Sequence, residues 1–139
     1  MKISPRAAVA ATLLTGALGI PAANAHHSFA MFDVKSTISC PAIVKELRWT
    51  NPHVILLIEA STKAGDPPNV WSLELTSPGN LTRLGWTHSS FKPGDRIEVK
   101  FNPLRDGKRG GAFKEAKNDA TGEVLTSSVR EANDAPDLK

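Results

Sequence analysis

Residues 70–101 read VWSLELTSPGNLTRLGWTHSSFKPGDRIEVKF, and the fold turns on how this stretch divides. Residues 70–76 alternate, with Trp71, Leu73 and Leu75 on one side and Ser72, Glu74 and Thr76 on the other. That period of two marks a strand with one buried face. Ser77 is a good N-cap, Pro78 suits the first helical position, and Gly85 suits the position just past a helix end. Leu81 and Leu84, three residues apart, share one face between these signals. A short helix is therefore predicted. Lys92-Pro93-Gly94-Asp95 has turn chemistry. Residues 96–101 alternate again, with Ile97, Val99 and Phe101 inward.

Working outward, residues 42–49 (AIVKELRW) read as a strand that Pro41 either starts or kinks. Thr50-Asn51-Pro52 is a turn. Residues 53–60 (HVILLIEA) form a second strand, apolar on both faces and hence central. Residues 63–69 are a loop, and residues 102–111 (NPLRDGKRGG) are a basic, Gly-rich one. Residues 112–117 and 123–126 make a final ribbon turning at 118–122. The order is strand, strand, strand, short helix, strand, strand. It predicts an all-β fold, a small OB-like five-stranded barrel with one short helix between strands 3 and 4. A generic small β-sandwich is the competing arrangement. In an OB-like barrel the loops joining strands 1–2 and 4–5 frame the ligand face, here residues 50–52 and 102–111.

The N-terminus carries a different signal. Lys2 and Arg6 precede an uncharged run of 14 residues, AAVAATLLTGALGI, and Ala23-Asn24-Ala25 follows as a small-x-small cleavage site. These are the parts of a secretory signal peptide over residues 1–25. The run is short of the roughly 20 apolar residues of a membrane span. The expected mature chain begins at His26, with an OB-like domain and N-terminal arm over 26–126 and a polar, disordered tail over 127–139. Phe29, Met31 and Phe32 of the arm are expected to pack on the body. The expected location is the bacterial periplasm or the medium, with no stable membrane span after cleavage.

Composition narrows the function. The 139 residues suffice for one domain, and 40% hydrophobic content with 22% charged is ordinary for a globular one. Loss of Lys2 and Arg6 with the leader leaves 15 basic against 14 acidic residues, a net of +1. A nucleic-acid binder usually carries a strong basic patch, so no nucleic acid is expected as partner. A lone Cys40 excludes an intrachain disulfide framework and a multi-cysteine metal cluster. It is either buried and inert or a route to an intermolecular disulfide.

Cleavage before His26 would free an α-amine on a histidine. The amine and ring Nδ1 of one residue can chelate a metal ion, and a second histidine completes a three-nitrogen set suited to Cu(II), with Zn(II) next. His26 and His27 are the candidate ligands, with His53 as the third and His88 and Asp33 behind it. Trp49, Asn51, Arg105, Lys108 and Arg109 are candidates for a rim that contacts a small ligand or partner. Each also has a plain structural reading: Trp49 in the core, His53 capping a strand, and the basic residues in a hairpin loop turned by Asp106-Gly107. Leu84-Gly85-Trp86 reads as structural. Gly110-Gly111 is not a phosphate-binding loop, because GxxxxGK[ST] is absent. No catalytic set stands out. Ser28 lacks a nucleophile elbow, and Asp33, Glu46, Glu59, Glu74, Asp95 and Glu98 are scattered.

The strings HHSFAMFD, WTNPH, WSLELTSPGNLTRLGW, KPGDRIEV and NPLRDGKRGG together resemble a family of small exported proteobacterial proteins classed as a domain of unknown function. The resemblance spans about residues 26–125. It implies a periplasmic OB-like domain and motif positions at His26, His27, Ser28 and Phe29, at Trp49, Asn51, Pro52 and His53, at Gly85 and Trp86, and at Pro93, Gly94 and Asp95. Cys40-Pro41 departs from it, standing where a Gly-containing strand is expected. The leading expectation is an exported, non-catalytic binding module for a divalent metal, copper first. The alternative is an accessory subunit docking a periplasmic protein without metal.

Overall fold

A computed structural model describes residues 29–127. The leader, His26, His27 and residues 128–139 lie outside the described residues. A 3-10 turn, Phe29–Met31, is followed by β1 (Ile38–Arg48), β2 (Ile55–Ala60), β3 (Asn69–Glu74), α1 (Pro78–Arg83), β4 (Arg96–Pro103), β5 (Gly110–Asn118) and β6 (Val124–Thr126). The sheet order is β3-β2-β1-β4-β5-β6, and β3 also pairs with β5. That second pairing closes the first five strands into a barrel, with β6 added outside the ring. The OB-like barrel is therefore the fold. A two-sheet sandwich is not, because a single sheet curls onto itself.

β1 begins earlier than the sequence suggests. It pairs with β4 along residues 38–43 and with β2 along residues 42–48. Pro41 sits where β1 has β4 on one side only, so its missing N–H leaves no β2 ladder bond unmade. A bulge falls between Val44 and Glu46, not beside Cys40-Pro41. Before it Cys40, Ala42 and Val44 are buried, and after it Leu47 and Trp49 pack on the core. One extra residue moves the inward set from even to odd numbers, and the apolar residues follow it.

The interior is filled by Leu56 and Ile58 of β2, Leu73 of β3, Ile97, Val99 and Phe101 of β4, and Phe113 and Ala116 of β5. Helix α1 matches its expected limits. The Asn80 N–H donates to Ser77 Oγ at 3.4 Å, and Leu81 is fully buried. At the other end Trp86 N–H donates to Leu81 O at 3.0 Å and Gly85 N–H to Thr82 O at 3.1 Å. This paired closure needs a left-handed residue, and Gly85 has φ 89°. Trp86 then folds inward. Its Nε1 donates to Thr126 O at 2.7 Å, and its ring meets Phe91 and Phe113 edge-on, each at 5.5 Å.

Two expectations at the ends need correction. Phe32 is buried and bridges Leu104, as expected of the arm, but Met31 is 46% exposed. The carbonyl of Met31 accepts from Arg105 N–H at 3.0 Å. Ser127, placed at the start of the tail from sequence, belongs to the fold. Its N–H donates to Lys114 O at 3.1 Å and its hydroxyl to Phe113 O at 2.8 Å.

Closure rests on the two glycines that open β5. Ser72, Leu73 and Glu74 of β3 pair in parallel with Gly110, Gly111 and Ala112. A Cβ on Gly111 would lie 2.5 Å from Asn102 O and 2.6 Å from Phe101 Cδ2. A Cβ on Gly110 would lie 2.8 Å from Leu104 Cδ1, the end of a side chain that can turn away, and 3.1 Å from Ser72 O. Gly111→Ala is thus expected to lower stability by about 1–3 kcal/mol, as overpacking against backbone does. Gly110→Ala should cost clearly less. Urea unfolding of both variants checks the order, and equal losses would contradict it.

Candidate functional site

His53 stands two residues before β2. Val54 behind it points inward and is fully buried. The Val54 N–H donates to Thr76 O at 3.1 Å and Leu75 N–H donates to Val54 O at 2.9 Å. These bonds carry the β2–β3 ladder past the ends of both strands. Alternation then puts His53, Ile55 and Leu57 on the outward face of β2, and Glu74, Ser72 and Val70 on the outward face of β3. Ile55 lies opposite Glu74, so His53 and Glu74 are diagonal neighbours. His53 Nδ1 lies 2.7 Å from Glu74 Oε1, with side-chain exposures of 28% and 25%. Ile55 and Leu57 beside them are half-buried.

Glu74 was one of the scattered, solvent-side acids of the sequence. The structure instead makes it the partner of His53. The only available signal was its outward phase on the third strand. The register linking it to His53 is set by the connection over residues 61–68, whose geometry no local pattern gives.

The other candidates divide. Trp49 packs against the core, so its structural reading holds. Asn51 is exposed in the turn, and the Asn51-Pro52 bond is cis. Arg105 is committed to the arm: its Nε donates to Phe32 O at 3.0 Å. Lys108 pairs with Asp106 at 3.3 Å on an exposed loop turned by Gly107. A hydrogen bond from Lys108 N–H holds the Asp106 carboxyl below its usual range. Arg109 is exposed, and its carbonyl accepts from Ser72 N–H at 3.2 Å. Asp33 is occupied in a turn, accepting from the Ser36 hydroxyl at 2.6 Å, a bond that lowers its pKa. His88 is exposed in the 87–90 turn. Among the described residues no three His, Cys, Asp or Glu side chains gather as a metal site. His88 and Asp33 therefore do not complete one with His53, and His26 and His27 lie outside the description.

The loop over residues 104–109 and the His53 turn both border β3. Arg109 meets it at Ser72 and His53 at Glu74, two residues or about 7 Å along the strand. The arm enters beside the same loop, since Asp33 N–H donates to Pro103 O at 2.8 Å. The 104–109 loop thus borders the arm on one side and β3 on the other. No helix among the described residues is long and apolar enough to cross a membrane.

A small all-β barrel of OB-like topology, bearing a histidine–carboxylate pair on the outward face of its second and third strands, is the class of protein these features define. The chain belongs to the family described as "Family of unknown function (DUF6152)", whose model matches residues 15–114. No curated protein and no solved structure matches it.

Cys40 takes the first of its two readings. It is 5% exposed on the inner face of β1, and burial, aided by the negative charge of Glu98, raises its pKa above the ordinary 9.0. The folded thiol stays protonated at a pH where the unfolded one ionises. The unfolded state then binds fewer protons, so this group makes stability fall as pH rises past about 9. Cys40→Ala should begin less stable than the parent and lose less between about pH 8 and about pH 10.5. Urea midpoints at both values test this. A gap that stays constant would contradict it.

Proposed function

We propose that this protein is an exported, non-catalytic binding module for a divalent metal ion, copper first, held by His26 and His27 at the mature N-terminus with His53 as third ligand. The observation that carries the reading is the position of His53: half-buried and outward, on the face beside which the arm enters. Phe32, Leu104, Gly110 and Ser72 are successive backbone neighbours across this rim. Three steps of about 4.8 Å separate Phe32 from Ser72, about 14 Å in all. The arm that leads toward the terminal histidines thus borders the same 104–109 loop as the strand that carries Glu74.

The chemistry favours copper. An amine and imidazoles are borderline nitrogen donors, and Cu(II) heads the affinity order for such ligands. The described cysteine is buried in the core, so a thiolate does not compete. Export supplies the processed terminus, and the leader supports it through its charged, apolar and small-residue segments.

The test uses protein recovered from the periplasm and shown by mass spectrometry to begin at His26. Cu(II) titration should give one site per chain. One glycine added ahead of His26 removes the amine–ring chelate and should weaken binding by tenfold or more, roughly. His53→Ala should weaken it in the same direction. Equal affinity with and without the added residue would overturn the terminal site. A mature chain that retains the leader would overturn the export reading as well.

A further inference from the structure

The middle of β1 carries a feature that the metal reading does not use. A cleft of about 190 Å³ opens there. Its apolar lining comes from Pro41 and Ile43 of β1, Ala60 at the end of β2, and Pro68 of the loop that follows. Ile43 is 37% exposed, so the cleft shows apolar surface to solvent. Arg96, which opens β4, and Asp119, just past β5, also line it. Register fixes how these residues meet. Ile43 stands opposite Glu59 on one side and Arg96 on the other. Directly opposed Cβ atoms lie about 5 Å apart. Beyond Arg96, the Asp119 N–H donates to Arg96 O at 3.0 Å, so a base and an acid adjoin next to Ile43. Glu59 is held by Lys45 at 3.3 Å. Arg96 and Asp119 differ from it. Both are exposed, and among the described residues neither side chain makes a hydrogen bond or ion pair, even with the other.

We propose that this cleft binds a free α-amino acid with an aliphatic side chain. The guanidinium of Arg96 offers a planar fork that suits a carboxylate, and Asp119 beside it suits an ammonium. In an α-amino acid both charges hang from one carbon, which matches two charged residues whose backbones adjoin. The aliphatic group then covers Ile43, Pro41 and Ala60. One unpaired charge of each sign also sets the selectivity. A simple carboxylic acid would bring its charge up against Asp119, and a simple amine would bring its charge up against Arg96. Size agrees with this class. Drug-sized ligands fill roughly 300–1,000 Å³, whereas an apolar cavity of about 150 Å³ takes benzene. A cleft of about 190 Å³ therefore suits a single branched side chain. The inference is independent of the metal reading, because none of its residues is a candidate metal ligand.

The test is ¹H–¹⁵N correlation spectroscopy of the full chain titrated with L-leucine. Saturable shifts should centre on Ile43, Ala60, Ser61, Arg96 and Asp119, which line the cleft. Isocaproate is leucine without its ammonium, and isoamylamine is leucine without its carboxylate. Each should bind roughly tenfold more weakly than leucine, as the loss of one charge-assisted hydrogen bond predicts. Arg96→Gln and Asp119→Asn should lower leucine affinity by a similar factor. Both should keep the urea midpoint of the parent, because the two side chains are exposed and unpaired. Should Arg96→Gln unfold early, Asp119→Asn and the two analogues still read the charged contacts. No saturable shift with leucine, or shifts centred elsewhere, overturns the site. Isocaproate binding as tightly as leucine overturns the ammonium contact at Asp119, and isoamylamine doing so overturns the carboxylate contact at Arg96. Folded variants that bind leucine like the parent overturn the amino-acid assignment as a whole.

Discussion

The barrel exists only if β5 can lie against β4 and β3 at once over residues 110–112, and at that crossing Gly111 has no room for a side chain. Its missing Cβ lets Asn102 O and Phe101 approach on the β4 side while β3 pairs on the other. Without this parallel contact the five strands would form an open curl with β3 as a free edge. Unpaired edges invite association with other chains, and closure removes them. The same contact fixes the face described above, because it sets β3 between the 104–109 loop and β2.

The closed ring explains why the arm matters to the fold. Phe32 continues the line of β1 along β4 through its bridge to Leu104, and Arg105 ties the arm down by both its N–H and its Nε. One residue of a loop that reads as a basic patch is thereby a structural clamp. Lys108 is held by Asp106, an exposed pair of little energetic weight. The loop's sequence character, basic and Gly-rich, has two separate origins. The glycines serve closure and turning, and the cations serve solvation, arm attachment or contact with something outside.

Sequence reasoning succeeded where a residue's role follows from its neighbours in the chain. Ser77, Pro78 and Gly85 announce a helix through its caps, and the structure places that helix over Pro78–Arg83. Trp86, weighed as a core residue, is buried in the core, and Trp49 is partly buried and packs against it. It failed at Met31, where hydrophobicity alone suggested burial, and at Ser127, where polarity alone suggested a tail. It also missed Glu74, because an outward acid on a strand reads as solvated unless its diagonal neighbour is known.

The sequence by itself determined the element order, the inward phase of the third and fourth strands and the helix between them. These depend on period-two alternation, capping and turn chemistry, all local, and together they implied the OB-like barrel. Tertiary structure alone decided the bulge after Val44, the parallel closure at Gly110–Gly111 and the pairing of His53 with Glu74. Each depends on register between segments far apart in the chain. A shift of one residue would leave every local pattern intact yet send a different set of side chains to the outward face. The histidine–carboxylate pair is therefore a product of register, and register is settled only when the whole barrel closes.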